Sequence, residues 1–357
     1  MARPNRVPWI MNPEQRALLP EVSGNAINGL GEREPRRPRI VYWPNDASRE
    51  SGTVSKHPFG PVIAWFRRMT PAVMRVYTDF AHRAPKTLAP VTETRVQDTP
   101  ENWTRRVKEF VLEHEGHLVG ITRLNPDWFF DDAGIPDLPW VVMIGCRMDY
   151  DKMQHMPPST GDPVAAIEVG ETYNKVDRAA GALANWVRSQ GWYAENQGGP
   201  NSGRMLLIPP AIECGFGELG KHGSIINRRY GSLIRLSAVR TCLPMVPDSR
   251  DEFGADDFCT RCQVCTRACP VDAIYAEKQL VRGTVKWYVD FDKCVPYFNE
   301  NYACGICIAV CPWSRPGVAP RLAERLPRRD SRPKDRAGAT TAGAGPDGSP
   351  RRQPGTE

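Results

Sequence analysis

Residues 259–270 read "CTRCQVCTRACP". Four cysteines stand two, two and three residues apart, and a proline follows. Three thiolates on one tight loop can reach three corners of an iron–sulfur cubane, while the fourth, on the turn beyond, points away and reaches a neighbouring cluster. Pro270 ends the loop and fixes φ. A looser copy follows: Cys294, then "CGICIAVCP" from Cys304 to Pro312. Exchanging the fourth cysteines assigns Cys259, Cys262, Cys265 and Cys311 to a first [4Fe–4S] cluster. Cys269, Cys294, Cys304 and Cys307 go to a second. Nine residues separate Cys294 from Cys304 where two are usual, which reads as an insertion in a ferredoxin loop. Structural zinc, the competing reading, prefers two CxxC pairs. Consecutive CxxC steps with two Cys-Pro endings, and no histidine between 259 and 312, fit it poorly.

The rest of the composition narrows the class. Of 357 residues 41% are hydrophobic, enough for a sizeable core, while 34 prolines and 30 glycines imply much loop. No run of about 18 apolar residues occurs, so no membrane span is expected. "MARPNRVPWIMNPEQ" has no apolar signal-peptide region, so a cytoplasmic chain is expected. The twin arginines Arg36-Arg37 and Arg67-Arg68 read as surface charge. Residues 321–357 carry nine Lys/Arg and five Asp/Glu, a net of +4 out of +6 overall, which leaves a nearly neutral body and no reason to expect nucleic acid. That Gly/Ala/Pro/Arg-rich tail is expected to stay unstructured. Eleven cysteines in such a chain suit metal binding better than disulfides. The three outside the motifs, Cys146, Cys214 and Cys242, are expected to be small buried hydrophobes.

Upstream of the cysteines, residues 1–98 read as irregular, with a short helix near "PVIAWFRRM". Thr99 caps a helix beginning "PENW", with Trp103, Val107, Phe110, Val111 and His114 on one face. "HLVGITRL" and "WVVMIGCRM" read as strands, the second buried on both faces. A long helix is expected from about Glu171 to Gln190, with Tyr173, Val176, Ala180, Leu183, Ala184 and Val187 as its stripe. "RMLLI" at 204–208 reads as a strand, and so does "SLIRLSAV" at 232–239, with Ile234, Leu236 and Ala238 on one side. Alternating strands and helices make the body α/β or α+β. "GFGELG" at 215–220 has a G-x-G-x-x-G frame, but Pro209 and Pro210 break the strand that a nucleotide fold needs before it. Its glycines read either as a tight structural loop or as places where backbone passes close to a bulky flat ligand.

The succession "YNKVDRAAGALANWVRSQGWYA", "ECGFGELGKHG", "RRYGSLIRLSAVRTCLPMVPD", "VDFDKCVPYF" and the two cysteine motifs resembles the cobalamin-dependent reductive dehalogenase family. "HEGHLVGITRLNPDWFF" and "WVVMIGCRMDYDKM" resemble its soluble, non-respiratory members. The likeness spans roughly residues 103–315. It implies an α+β, nitroreductase-like cobalamin-binding core at 99–250 and a ferredoxin-like two-cluster domain at 251–320. Cobalamin would bind base-off, in keeping with the absence of a D-x-H-x-x-G motif, with Gly215, Phe216, Gly217, Glu218 and Gly220 as its implied seat. Tyr173 falls where the family places a proton-donating tyrosine, and Arg235 where it places a cation beside it. A guanidinium next to a phenol favours the phenolate, which suits a proton donor. "TCLP" at 241–244 stands where the family commonly has T-D-L-P.

The resemblance implies reductive removal of halide from an organohalide, a halogenated phenol or hydroxybenzoate, with electrons from an external donor. Two readings compete. An epoxyqueuosine reductase-like enzyme would share the corrinoid and both clusters but act on transfer RNA. A non-catalytic two-cluster electron carrier would have no corrinoid.

Overall fold

Helix α1 (Pro100–Glu113) starts where its cap demands. Thr99 is extended and its hydroxyl accepts from the Asn102 amide, while Pro100 sits in the first turn, where a missing N–H costs nothing. The computed structural model describes residues 9–17, 19, 21–41, 75, 88–197 and 204–326. After α1 come β1 (Leu118–Arg123), β2 (Trp140–Arg147), helix α2 (Val164–Ser189), β3 (Ala194–Gln197) and β4 (Ile234–Thr241). The strands form one sheet in the order β1-β2-β4-β3, with every neighbouring pair antiparallel.

Period-two alternation gives this sheet two apolar faces. Val142 and Ile144 of β2 and Val239 of β4 pack on one side against α1 and α2, through Trp103, Val107, Val176 and Leu183. Val141 and Met143, with Ile234, Leu236 and Ala238, pack on the other side against Phe129, Phe216 and Ile225. Both faces are covered, so β2 is buried along its length except at Arg147. The sidedness expected for β4 holds. The chain is a mixed α and β protein with its cysteine motifs C-terminal to the sheet.

Several expectations are corrected. Helix α2 starts at Val164, well before Glu171, because Ala165, Ala166 and Val169 are buried and continue its apolar side. "RMLLI" is no strand: Met205 makes a single bridge to Phe129, and Ile208–Glu213 is helical. Pro209 and Pro210 lie in that helix's first turn, where prolines are tolerated. Arg36 and Arg37 are fasteners rather than free surface charge. Arg36 bonds Glu32 and the Ile27 carbonyl, and Arg37 donates to the carbonyls of Phe129, Phe130 and Ala133. The segment taken as tail begins inside a helix, Val318–Arg325, whose Ala319 and Ala323 pack in the same cluster as Trp313. Cys146 and Cys214 are buried as expected, and burial pushes the Cys146 thiol up to about 12; Cys242 is only half-buried. "PVIAWFRRM" and Arg67-Arg68 lie outside the described residues. Among the described residues no helix is long and apolar enough to cross a membrane.

Trp103 is fully buried between α1 and the sheet, whereas Leu112 on the same helix is 55% exposed. Trp103→Ala is expected to cost about 3–5 kcal/mol of unfolding free energy, and Leu112→Ala about 0.5 kcal/mol or less. Denaturant unfolding of both variants checks the assignment of the core face.

Candidate functional site

The eight motif cysteines fall into two sets of mutual neighbours. Cys259 lies in the helix Ala255–Arg261 and Cys262 caps it; Cys265 lies in Val264–Ala268, and Cys311 precedes the turn at Pro312–Ser314. Burial pushes the Cys259 thiol up to about 12, and its neighbours Cys311, Cys265 and Cys262 add to the shift. Cys265 is pushed up to about 11, again by burial first and then by Cys311 and Cys262. Four crowded thiols of this kind ionise readily only against strong positive charge, which a metal cluster supplies.

Cys269, Cys294, Cys304 and Cys307 form the second set. Burial pushes Cys304 up to about 12, with Cys307 and Cys269 acting in the same direction. Cys294 is raised by burial and then by Cys304 and Cys269. Cys307 feels Cys294 and Cys269 of its own set and Cys265 of the other, so the sets adjoin. Among the described residues no three His, Cys, Asp or Glu side chains converge as they would on a single metal ion. Ligands of a polynuclear cluster need not converge, because each binds a different iron.

The long spacing after Cys294 has a structural cause. Asp290 caps the helix Phe291–Glu300, which contains Cys294 and uses up most of the interval. Tyr302 and Ala303 then take left-handed φ of 47° and 70°, turning the chain back so that Cys304 rejoins Cys294. The N-terminal segment grips the start of this helix. The Asn25 amide donates to Asp290 at 2.8 Å while its oxygen accepts from the Phe291 amide at 2.9 Å, and the Gly24 amide donates to Asp292 at 2.7 Å.

The glycine-dense bend lies against the first set of thiols. A Cβ at Gly215 would meet the Ser249 carbonyl oxygen at 2.7 Å, and one at Gly217 the Ile226 carbonyl oxygen at 2.0 Å. One at Gly220 would meet the His222 ring at 2.6 Å. The chain's own atoms thus fill the space that these glycines leave. Phe216 is buried in the sheet's second core. Glu218 is buried and its carboxylate accepts the amides of Phe253, Ala255 and Asp256 at 2.7, 2.9 and 3.0 Å. It therefore caps the helix that carries Cys259, a favourable place for an anion.

Tyr173 and Arg235 are brought together. The guanidinium lies over the phenol ring, 5.0 Å from its centroid, and Arg235 Nε is buried without a hydrogen-bond partner among the described residues. Tyr173 packs against a buried cluster that includes Met153, Val169, Leu233 and Ile308, and Cys307 of the second set packs against the same cluster. The helix around Tyr173 is pinned one turn earlier. Glu168, buried, accepts the Asp149 amide at 2.7 Å and the Lys152 amine at 2.9 Å.

Three side chains beside the first set were not foreseen. The Lys221 amide donates to Cys259 Sγ at 3.5 Å, and its amine is buried, bonded to the Ala276 carbonyl and 4.8 Å from the Trp287 ring. Burial holds that amine below the usual lysine range, against the pull of Cys265, Cys259 and Cys262. The Ser232 hydroxyl lies 3.7 Å from Cys311 Sγ and 2.8 Å from His222 Nε2. Histidine is absent from 259–312, yet one stands a single hydroxyl away from a motif cysteine. The hint was "GKHG", two polar residues inside a glycine bend.

Removing the Glu218 carboxylate strands three buried amides. Glu218→Ala is expected to lose at least about 2 kcal/mol of unfolding free energy, and Glu218→Gln, which keeps one acceptor oxygen, less. Anaerobic denaturant unfolding measures both, and unchanged midpoints would mean that the cap does not hold this helix.

Residues 258–314 match the family model described as a 4Fe-4S dicluster domain. The tetrachloroethene reductive dehalogenase of Desulfitobacterium hafniense is 29% identical over 211 residues, covering 56% of this chain and 37% of that protein. That of Sulfurospirillum multivorans is 28% identical over 280 residues, covering 64% and 54%. The chain thus spans between a third and about half of the length of these relatives. The epoxyqueuosine reductase of Vibrio cholerae is 26% identical over 224 residues, covering 53% of this chain and 56% of that protein. Among solved structures, the catabolic reductive dehalogenase NpRdhA superposes with a TM-score of 0.68 at 21% identity, over 87% of this chain and 46% of that one. It has also been solved with 3-bromo-4-hydroxybenzoic acid. A reductive dehalogenase described as B12-dependent superposes with a TM-score of 0.61 at 23% identity, over 75% and 39%. In sequence and in fold the chain is similar to reductive dehalogenases, and in sequence, more distantly, to epoxyqueuosine reductases.

Proposed function

We propose that this chain reductively dehalogenates a small organohalide, using two [4Fe–4S] clusters and a base-off corrinoid in a nitroreductase-like core. The observation that carries the reading is the stacking of Arg235 over Tyr173, beside a buried cluster against which Cys307 also packs. One set of thiols, Cys259, Cys262, Cys265 and Cys311, would hold the first cluster. Cys269, Cys294, Cys304 and Cys307 would hold the second. The donors fit such clusters: they are thiols, buried or half-buried, grouped in fours, with Cys265 and Cys307 where the groups meet. The buried, unpaired Nε of Arg235 fits a polar ligand on the tyrosine's side of the protein. The glycine bend contacts its own chain, so the proposed seat of the corrinoid is the wall that bears Tyr173, with the bend serving the first cluster.

Reduced corrinoid supplies the low-potential reductant that opens a carbon–halogen bond. The balance is one organohalide, two electrons and one proton in, the hydrocarbon and halide out. The electrons would come singly from an external donor and would reach the site by way of the clusters that the two sets of cysteines would hold. Tyr173 gives its hydroxyl proton to the carbon that loses the halide. Arg235, over the ring, stabilises the negative charge left on the phenolate. Met153 and Ile308, buried in the cluster that Tyr173 packs against, lower the polarity on one side of the pair, which strengthens that interaction. NpRdhA binds a brominated hydroxybenzoate, which supports a halogenated phenol or hydroxybenzoate as substrate.

Three measurements test this. Anaerobically prepared protein is expected to hold about eight irons per chain and cobalt near one per chain. Eight irons without cobalt, even after reconstitution with cobalamin, would instead make the chain an electron carrier. In the loaded protein Tyr173→Phe is expected to abolish turnover of a halogenated phenol while leaving the visible corrinoid spectrum intact. Full activity in that variant removes the tyrosine from the mechanism. Salt-sensitive binding of transfer RNA would favour the epoxyqueuosine reductase-like reading.

A further inference from the structure

The hydrogen bonds around His222 fix its tautomer. The Ser224 amide donates to His222 Nδ1 at 3.2 Å, so Nδ1 carries no proton. In the neutral ring the proton is then on Nε2, which faces Ser232 Oγ at 2.8 Å. Burial keeps the ring neutral, pushing it down to about 4. Nε2–H donates to Ser232 Oγ and occupies one of its lone pairs. The hydroxyl proton must point elsewhere, and the acceptor in reach is Cys311 Sγ at 3.7 Å.

We propose that His222 and Ser232 form a directed relay that donates a hydrogen bond to Cys311 and raises the reduction potential of the first cluster. This rests on Cys311 being a ligand of that cluster. A donor at a ligand sulfur offsets the negative charge gained on reduction, so it stabilises the reduced cluster more than the oxidised one. His222 is a positioning residue: it sets which way the Ser232 hydroxyl points.

The backbone is built for this relay. At Gly220 any side chain would strike the imidazole, with a Cβ 2.6 Å from its Cε1. Gly231 has φ of +60°, and a Cβ there would lie 2.2 Å from the Trp313 carbonyl oxygen. Glycine at 231 lets the chain run along 313–314, next to Cys311, where the Ser232 amide bonds Ser314 Oγ at 3.3 Å. The glycine density of the bend thus has a role in holding a cluster ligand.

The test is an EPR-monitored redox titration of the full chain carrying both clusters. Ser232→Ala is expected to lower the potential of one cluster and leave the other unmoved. The expected size is a tenfold fall in the one-electron reduction constant, about 59 mV. Ser232→Thr, which keeps the hydroxyl, is expected to retain the wild-type potential. His222→Leu should shift the same cluster, and His222→Gln, whose amide can donate to Ser232, should restore most of the difference. The double variant Ser232→Ala/His222→Leu should shift no further than Ser232→Ala alone. Unchanged potentials in Ser232→Ala, or shifts that add in the double variant, overturn the relay. Cys311→Ser tests the underlying assignment separately: it should lose one EPR signal, and full retention of both clusters would overturn the ligand reading itself.

Discussion

A buried carboxylate joins the two halves of this molecule. Glu218 sits in the bend that packs beneath the sheet, and its two oxygens accept three amides at the start of the helix carrying Cys259. Without it, the positive end of that helix would be buried against an apolar wall with its first amides unsatisfied. With it, the position of Cys259 is referred directly to the sheet through Phe216 and Ile225. The short ribbon pairing Glu218 with Ile226 keeps the carboxylate in place, and Gly217 makes that pairing close enough. A second link, from Ser232 to Ser314 and Cys311, ties the start of β4 to the same set of thiols.

From this clamp the site acquires a direction. The bend meets the first set of thiols, through Lys221 at Cys259 and Ser232 at Cys311. Tyr173, under Arg235, packs against the same buried cluster as Cys307 of the second set. Cys265 and Cys307 are the thiols by which the sets feel each other. An electron entering at the first set and leaving toward the tyrosine would cross at that point. Ser232 stands just before β4 and Arg235 is its second residue, so the start of this one interior strand touches both ends of the path. A strand paired with β2 along its whole length, and with β3 from Ala238 to Thr241, is a rigid place for such a link.

What the sequence disclosed follows the range of the interactions. The grouping of the thiols was legible because a cubane imposes its spacing within a dozen residues. The faces of β4 were legible because alternation is local. The start of α2 was not, because Gly170 disfavours helix and no side-chain cap marks the true start before Ala165 and Ala166, whose burial depends on distant partners. "RMLLI" was misread because a short apolar run fits strand and helix alike, and the prolines after it are as welcome in a first turn as they are foreign to a strand. His222 and Ser232 were illegible for a plainer reason: Ser232 and Cys311 are 79 residues apart in the chain.

The second motif shows how a long-range contact relaxes a local rule. A compact cysteine loop holds its own shape, but here the helix Phe291–Glu300 intervenes with Pro296 inside it. A ten-residue helix is only marginally stable alone, so the position of Cys294 needs support from outside the motif. The N-terminal segment provides it: Asn25 bridges Asp290 and the Phe291 amide, and Trp9 packs edge-on against Tyr297 at 5.3 Å. Leu30 adds a bridge to Val281 in the ribbon just before the helix. Residues that read as irregular are therefore bound to the loosest part of the cysteine framework. A segment whose helices at Pro13–Arg16 and Gly24–Ile27 are only one turn long suits that task, because it can follow a helix start, a ribbon edge and an aromatic side chain in turn, which a long straight helix could not.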